Sequence, residues 1–206
     1  MLTSCALGDM LLSALGFDTH DYEGEPVEAT LEADDERVAQ LCEAVKMLSV
    51  NTPFLYEFEK SSRAVSECSD AILNYMLCTA FSKYTGNIEL LDAAVAQYPE
   101  FQILALIPGE DFENFAYTYF GGDVKLTHKS GTLFSYLERA DAYSALTVPI
   151  ENNVVVNVIS CEETERTYRL TFQNTLGEVV SPVYRALIVK REDGSFYFKS
   201  LLSVEQ

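Results

Sequence analysis

The spacing of apolar residues predicts a helix early in the chain. In the segment DDERVAQLCEAVKMLSV, Val38, Leu41 and Val45 recur at helical intervals and would form one apolar face. Asp34 or Asp35 stands directly before this stretch, where a carboxylate can accept hydrogen bonds from the free N–H groups of the first turn. The pattern therefore predicts an amphipathic helix with an acidic N-cap.

Two further helices are predicted before residue 100. Residues 64–86 are apolar on more than one face, which is typical of a centrally buried helix, and Gly86 is placed to end it. The next helix, NIELLDAAVAQYPE, begins at Asn87 and ends before Pro99, because the residue preceding a proline disfavours the helical conformation. The apolar run FQILALIP that follows is either a short strand or an extended linker.

An aromatic helix is predicted from the segment PGEDFENFAYTYFGGD. Phe112, Phe115, Ala116 and Tyr119 are spaced at i, i+3, i+4 and i+7, with acidic residues in the first turn and Gly121 at the end. We expect this stripe to pack inward, because an apolar helix face must be buried against another element.

The period of the pattern changes to two from residue 152 onward. Valine-rich and alternating segments follow one another, and Asp193-Gly194 is a typical turn between the last two strands. The predicted fold class is α+β, with amino-terminal helices followed by a curved antiparallel meander that helices cover on one face. The other face carries Arg169 and Lys199, which we expect to be exposed and treat as a candidate contact surface.

The charge of the chain narrows the choice of partners. It carries 32 acidic and 14 basic residues, a net charge of −18, and 22 of the acidic residues lie within residues 1–123 beside only 5 basic ones. Nucleic acid is excluded as a partner, because phosphates require clustered lysine and arginine. No apolar run approaches the roughly 18–20 residues that span a bilayer.

The first residues point to a cellular location. The tetrapeptide Leu-Thr-Ser-Cys ending at Cys5 resembles the lipobox of bacterial lipoproteins, in which this cysteine is lipidated. The resemblance implies a start codon upstream of Met1 and a chain anchored to the extracytoplasmic face of the membrane through Cys5 alone. The alternative is a cytoplasmic protein in which Cys5 belongs to an ordinary apolar helix face.

Three regions follow from these patterns. Residues 1–33 combine the lipobox-like start with an acidic stretch, DTHDYEGEPVEATLEADDE, that is typical of a solvated linker. Residues 34–98 are a helical region, and residues 99–206 form the α+β domain with its terminal sheet.

The order of elements in the last region carries a second resemblance. An aromatic helix ending in YFGG, then LERADAYSALTVP, a long hairpin and the last strand GSFYFKSLLSVE are similar to uncharacterised surface lipoproteins of Gram-positive bacteria. More distantly, residues 105–206 resemble ketosteroid-isomerase-like cones and the inhibitor family of cell-wall endopeptidases. The resemblance is one of topology and assigns no functional residue.

A search for chemistry finds few candidates. His20 and His128 are the only histidines, so no histidine-based metal cluster of ordinary spacing is predicted, and neither a cofactor nor a catalytic residue is assigned. His128 lies with Lys125 and Lys129 in a basic spot that could hold an anion. A ligand pocket is conceivable if the aromatic helix and residues 132–146 close over the sheet, and a cone-shaped enzyme would then need a buried acid such as Asp141. The residues of this pocket are Tyr117, Tyr119, Phe120, Tyr136 and Tyr143.

Two functional interpretations remain open. The first is a non-enzymatic lipoprotein that binds an envelope protein or a cell-wall component. The second is a small-molecule-binding or isomerase-like protein that uses the interior of a cone. A deep pocket with a buried carboxylic acid beside tyrosine hydroxyls would favour the second, and a filled interior would favour the first.

Overall fold

A computed structural model describes residues 21–49, 63–64, 88–99, 106–122, 124, 126–130, 134–145 and 153–204. The described helices are α1 (Glu36–Ser49), α2 (Ile88–Gln97) and α3 (Gly109–Phe120). The described strands are β1 (Ala29–Leu31), β2 (Arg63–Ala64), β3 (Leu106–Pro108), β4 (Phe134–Leu137), β5 (Ala142–Ala145), β6 (Val155–Glu163), β7 (Thr167–Leu176), β8 (Val179–Lys190) and β9 (Phe196–Val204). The prediction of an α+β fold is confirmed.

The main sheet is antiparallel, with strand order β1-β6-β7-β8-β9-β2. Its centre is a meander of four strands that are consecutive in sequence, as the alternating pattern predicted. The turn between β8 and β9 contains Gly194 at φ +82°, where the missing Cβ makes the left-handed conformation accessible. The Asp193 carboxylate accepts a hydrogen bond from the Ser195 N–H at 2.9 Å, which fixes the same turn.

The inner face of the main sheet is covered by helices. Val38, Leu41 and Val45 of α1 are fully buried, and so are Phe112, Ala116 and Phe120 of α3. These side chains form one hydrophobic core with inner-face residues of the strands, which include Cys161, Leu170, Phe172, Tyr184, Ile188 and Phe198. The predicted inward packing of the aromatic helix is confirmed, and α1 shares its core with the sheet.

A small sheet of order β3-β5-β4 lies beside this core. Ile107 and Tyr143 of this sheet belong to the main core. A second apolar cluster joins Ala94 of α2 to Leu106, Leu137 and Ala142 of the small sheet. The run FQILALIP therefore contains a short strand within residues 106–108, and the small sheet connects α2 to the main core.

Residues 21–31 of the predicted linker are held against the main sheet, although most of their side chains are exposed as predicted. Residues 21–28, which we call the strap, run across the outer face of the main sheet, and β1 pairs with β6 from Ala29↔Glu163 to Leu31↔Cys161. Tyr22 of the strap is 9% exposed and packs against Leu187 and Val189. Tyr22 and the pairing of β1 therefore contribute to holding this acidic stretch on the sheet.

Several predictions concern parts of the chain outside the described residues. These are the lipidation site Cys5, residues 65–86 of the predicted central helix, and Lys125 of the basic spot. No helix within the described ranges is long and apolar enough to cross a membrane.

Candidate functional site

His128 bridges helix α3 and the small sheet. Its Nδ1 lies 2.8 Å from the Tyr143 hydroxyl, and its Nε2 lies 3.0 Å from Oε1 of Glu113. The backbone N–H of Lys129 also donates to the Tyr143 hydroxyl oxygen. We therefore assign the tautomer in which Tyr143 donates to Nδ1 and Nε2–H donates to Glu113.

A second tyrosine of the small sheet is bonded to a carboxylate. The Tyr136 hydroxyl donates to Oδ1 of Asp141 at 2.7 Å. Asp141 adopts φ +44°, and its carbonyl accepts the Gly109 N–H at 2.7 Å. A Cβ at Gly109 would lie only 2.6 Å from Oδ1 of Asp141, so glycine at this position allows α3 to begin against the Asp141 turn.

Both tyrosines are held in their protonated form. The hydrogen bond to Asp141 raises the pKa of Tyr136 to about 12, with a further contribution from burial. Burial is the main cause that raises the pKa of Tyr143. At neutral pH these side chains are therefore hydroxyl donors, and neither can serve as a base.

Aromatic rings pack together between helix α3 and the small sheet. The Tyr143 ring is fully buried, with Phe112 stacked on it at a centroid distance of 4.3 Å and Tyr136 at 4.9 Å. His128 stacks on Tyr136 at 5.0 Å. Asp141 is exposed, so it does not supply the buried acid that a cone-shaped enzyme would need.

The structure separates the predicted aromatic residues into two places. Tyr136, Tyr143 and His128 come together, as described above. Tyr117 is 60% exposed and has its ring 5.3 Å from the Arg191 guanidinium, on another side of α3. Tyr119 is half-buried, with its ring 6.4 Å from that of Phe115. The sequence could have predicted that Tyr117 lies apart, because helical spacing places it on a different face from Phe112 and Ala116.

The prediction that Arg169 is exposed is wrong. Arg169 is 7% exposed because the strap covers it. Its Nη2 donates to the carbonyl oxygens of Tyr22, Glu23 and Glu25 at 3.0, 2.9 and 2.7 Å. Lys199 is half-buried, with its ammonium 6.0 Å from the Tyr22 ring. Arg169 therefore fastens the strap to the sheet and cannot form part of a free contact surface.

The strap covers only one end of the outer face. At the other end, two rows of paired residues carry no charged side chain: one row joins β6, β7 and β8, and the other also includes β9. We call these residues the outer valine face: Val155, Asn157, Gln173, Thr175, Val180, Val183 and Val204. Val155 and Val180 are each 55% exposed and Val204 is 39% exposed. The sequence analysis assigned Arg169 and Lys199 to the outer face and did not identify this uncharged area, which the strap leaves uncovered.

One ion-pair cluster was not predicted. The Glu163 carboxylate lies between Arg37 at 2.6 Å and Lys190 at 2.7 Å. Burial opposes ionisation of Glu163, yet Lys190 and Arg37 together lower its pKa. A cavity of about 120 Å³ beside the cluster is lined by Arg37, Gln40, Leu41, Tyr168, Lys190, Arg191, Gly194, Ser195 and Phe196. Arg37, Glu163 and Lys190 come from three distant parts of the sequence, so no local pattern indicated this cluster.

No group of three or more histidine, cysteine or carboxylate side chains in the described part of the chain is arranged to hold a metal ion. Comparison with protein-family models, with curated proteins and with solved structures finds no match to this chain. Any functional assignment therefore depends on the geometry of its own residues.

Proposed function

We propose that this protein is a non-enzymatic binding module that holds an envelope protein through its outer valine face. The exposure of Val155, Val180 and Val204 on one uncharged area carries this proposal. Exposed apolar side chains scattered singly need no explanation, whereas a contiguous group of them is typical of an interaction site. The chain has a net charge of −18, and burying charged side chains under a partner costs free energy. The two uncharged rows can be covered by a partner without that cost.

A surface of this kind suits a protein partner. Interface centres are depleted in charged residues, and neutral polar groups satisfy hydrogen bonds around the apolar contacts. Asn157, Gln173 and Thr175 stand among the valines and provide such groups. The Asn157 amide donates to Oγ1 of Thr175 at 2.8 Å, so part of this polar surface is already ordered before a partner binds.

The contribution of this face can be measured by charge insertion. The native chain is first used to capture its main envelope protein. We expect the double variant Val180→Asp with Val204→Asp to bind that protein at least about tenfold more weakly, which corresponds to a loss of about 1.4 kcal/mol or more. Capture from solubilised envelopes of the source cells, with identification by mass spectrometry, gives the readout.

A matched control is available for this experiment. Val27 and Val95 are each 45% exposed and lie outside the outer valine face. The pair Val27→Asp and Val95→Asp should leave capture of the same protein unchanged. Equal retention by both double variants would exclude the outer valine face as the binding surface.

The location proposed for this module is the extracytoplasmic face of a bacterial membrane, with the chain anchored by a lipid on Cys5. The Leu-Thr-Ser-Cys tetrapeptide supports this proposal. We expect mass spectrometry of the protein purified from its source cells to find Cys5 as a lipidated amino terminus. An unmodified peptide that begins at Met1 would contradict the anchor and favour the cytoplasmic alternative.

A small-molecule-binding or isomerase-like function is the second candidate. A group of hydrogen-bonded polar side chains favours it. Tyr136 is bonded to Asp141, and the neighbouring His128 is bonded to both Tyr143 and Glu113. Both tyrosine hydroxyls keep their proton at neutral pH, and a substrate oxygen would accept it only by replacing Asp141 or His128 as the acceptor. The packing of Phe112 on Tyr143 weighs against it, because a ligand would have to displace rings of the core.

A further inference from the structure

Within the described part of the chain, β6 is paired along one of its sides by β1 over only three residues. Strand β1 pairs only with Cys161, Glu162 and Glu163. Among the described strands, residues 155–160 of β6 pair with β7 alone, so their other side presents backbone N–H and C=O groups without a neighbouring strand. A row of such groups is a template for pairing with another chain.

This edge lacks most of the features that usually prevent pairing, and a bulge is the one that it has. Natural edge strands are commonly protected by lysine, proline or inward-pointing charges. Residues 155–160 read Val-Val-Asn-Val-Ile-Ser and contain none of these. A bulge between Val158 and Ser160 interrupts the regular ladder, so the regular part of the edge is Val155–Val158. This length suits the addition of a short extended segment.

The direction of an added strand follows from β1. Strand β1 runs antiparallel to β6 and stops pairing with it after Leu31. A segment added antiparallel to residues 155–160 would therefore lie in line with β1, beyond its carboxyl-terminal end. The chain itself turns away there and begins α1 at Glu36. Alternate side chains of the added strand would lie beside Val155 and Asn157 and would extend the outer valine face.

The charges near this edge select the occupant. Glu32, Asp34 and Glu36 are exposed and follow β1, which places them close to the amino-terminal end of an added antiparallel strand. A second copy of the chain would bring another net charge of −18 to the contact. A segment that begins with lysine or arginine would instead find complementary charge.

We propose that the β6 edge binds an extended segment of a partner protein by strand addition, antiparallel to β6, with basic residues preceding an alternating apolar stretch. The proposal rests on the binding function proposed above and specifies how the partner is held. Main-chain hydrogen bonds supply affinity in this mode, and alternate side chains supply specificity.

A synthetic probe tests the proposal on the full chain. The probe is a fluorescent peptide with two lysines followed by three valine–threonine repeats. In the first control peptide, two glutamates replace the lysines. In the second control peptide, the two lysines stand at the carboxyl end. We expect the probe to bind at least about tenfold more tightly than either control peptide by fluorescence anisotropy. Absence of binding would overturn the proposal.

Backbone methylation of the probe tests the hydrogen bonds directly. N-methylation of one alternate set of residues should reduce binding by about tenfold or more, and N-methylation of the other set should leave it unchanged, because only one set of N–H groups faces β6. Equal effects of the two sets would contradict strand addition.

Two protein variants locate the probe. Ile159→Lys adds a positive charge at the edge, where the native side chain is 58% exposed, and should weaken binding of the basic probe. Val179→Lys changes a valine that is 71% exposed at the β7–β8 turn and should have no effect. A dimer found by sedimentation and lost in Ile159→Lys would show that a second copy occupies the edge, which would overturn the proposal.

The two proposals fail separately. If Val180→Asp with Val204→Asp reduces capture of the envelope protein while the two methylated probes behave alike, the binding function stands and strand addition falls. If the methylated probes differ as expected while capture is unaffected by the valine variants, strand addition stands and the outer valine face is not the binding surface.

Discussion

Replacing Phe112 with alanine is expected to lower the free energy of unfolding by about 3–5 kcal/mol, the usual range for deleting a fully buried phenylalanine ring. Phe112 is fully buried, and its ring stacks on Tyr143 at 4.3 Å with an interplanar angle of 25°. This contact joins α3 to β5, so the variant loses both apolar burial and an aromatic pair. Urea-induced unfolding followed by circular dichroism measures the loss.

The same helix offers a matched control. Phe115 lies three residues further along α3 and is only half-buried, beside Tyr119. Phe115→Ala should therefore cost less than half as much as Phe112→Ala, because less apolar surface leaves water on folding. Similar losses in the two variants would contradict the assignment of Phe112 to the inward face.

The elements that the sequence predicted well are those in which local signals agree. Helix α1 has an acidic cap and a regular apolar face, and Asp35 accepts a hydrogen bond from the Arg37 N–H at 2.9 Å. Helix α3 has its aromatic stripe, and the β8–β9 turn has Asp193-Gly194. In each case neighbouring residues determine the conformation, so a single sequence contains the necessary information.

The position of the strap could not be predicted from local sequence patterns. Its composition is that of a solvated linker, and β1 has only three residues, too few to display an alternating period. Its position is determined by contacts distant in sequence: Glu25 accepts a hydrogen bond from Oγ1 of Thr164 at 2.5 Å, and Glu23 pairs with Arg185 at 2.9 Å. No window of the sequence contains both partners of these contacts.

The candidate site was predicted in part for the same reason. Tyr136, Tyr143 and His128 were each identified from residue type, but Glu113 as the partner of His128 depends on how residues 126–130 cross α3. The exposure of Arg169 was predicted wrongly. Strand alternation correctly placed it on the outer face, and the strap, which lies more than 140 residues away in sequence, covers it there.

Arg169 should consequently contribute more to stability than a surface arginine does. A buried guanidinium is costly unless its N–H groups are bonded, and here Nη2 serves three carbonyl oxygens of the strap while Nη1 lies 3.9 Å from Glu162. We expect Arg169→Met, which retains an apolar stem but removes the donors, to lower the free energy of unfolding by about 2–4 kcal/mol. Amide hydrogen exchange should also become faster within residues 21–31, because the strap loses its main fastening.

Arg166 provides the control for this prediction. It lies three residues before Arg169, and its side chain is exposed and forms no ion pair with the residues that the structure describes. Arg166→Met should change the free energy of unfolding by no more than about 0.5 kcal/mol, as exposed substitutions usually do. If Arg169→Met proves equally mild and exchange within residues 21–31 is unaltered, the strap is held by Tyr22 and by the pairing of β1 with β6 and not by the guanidinium.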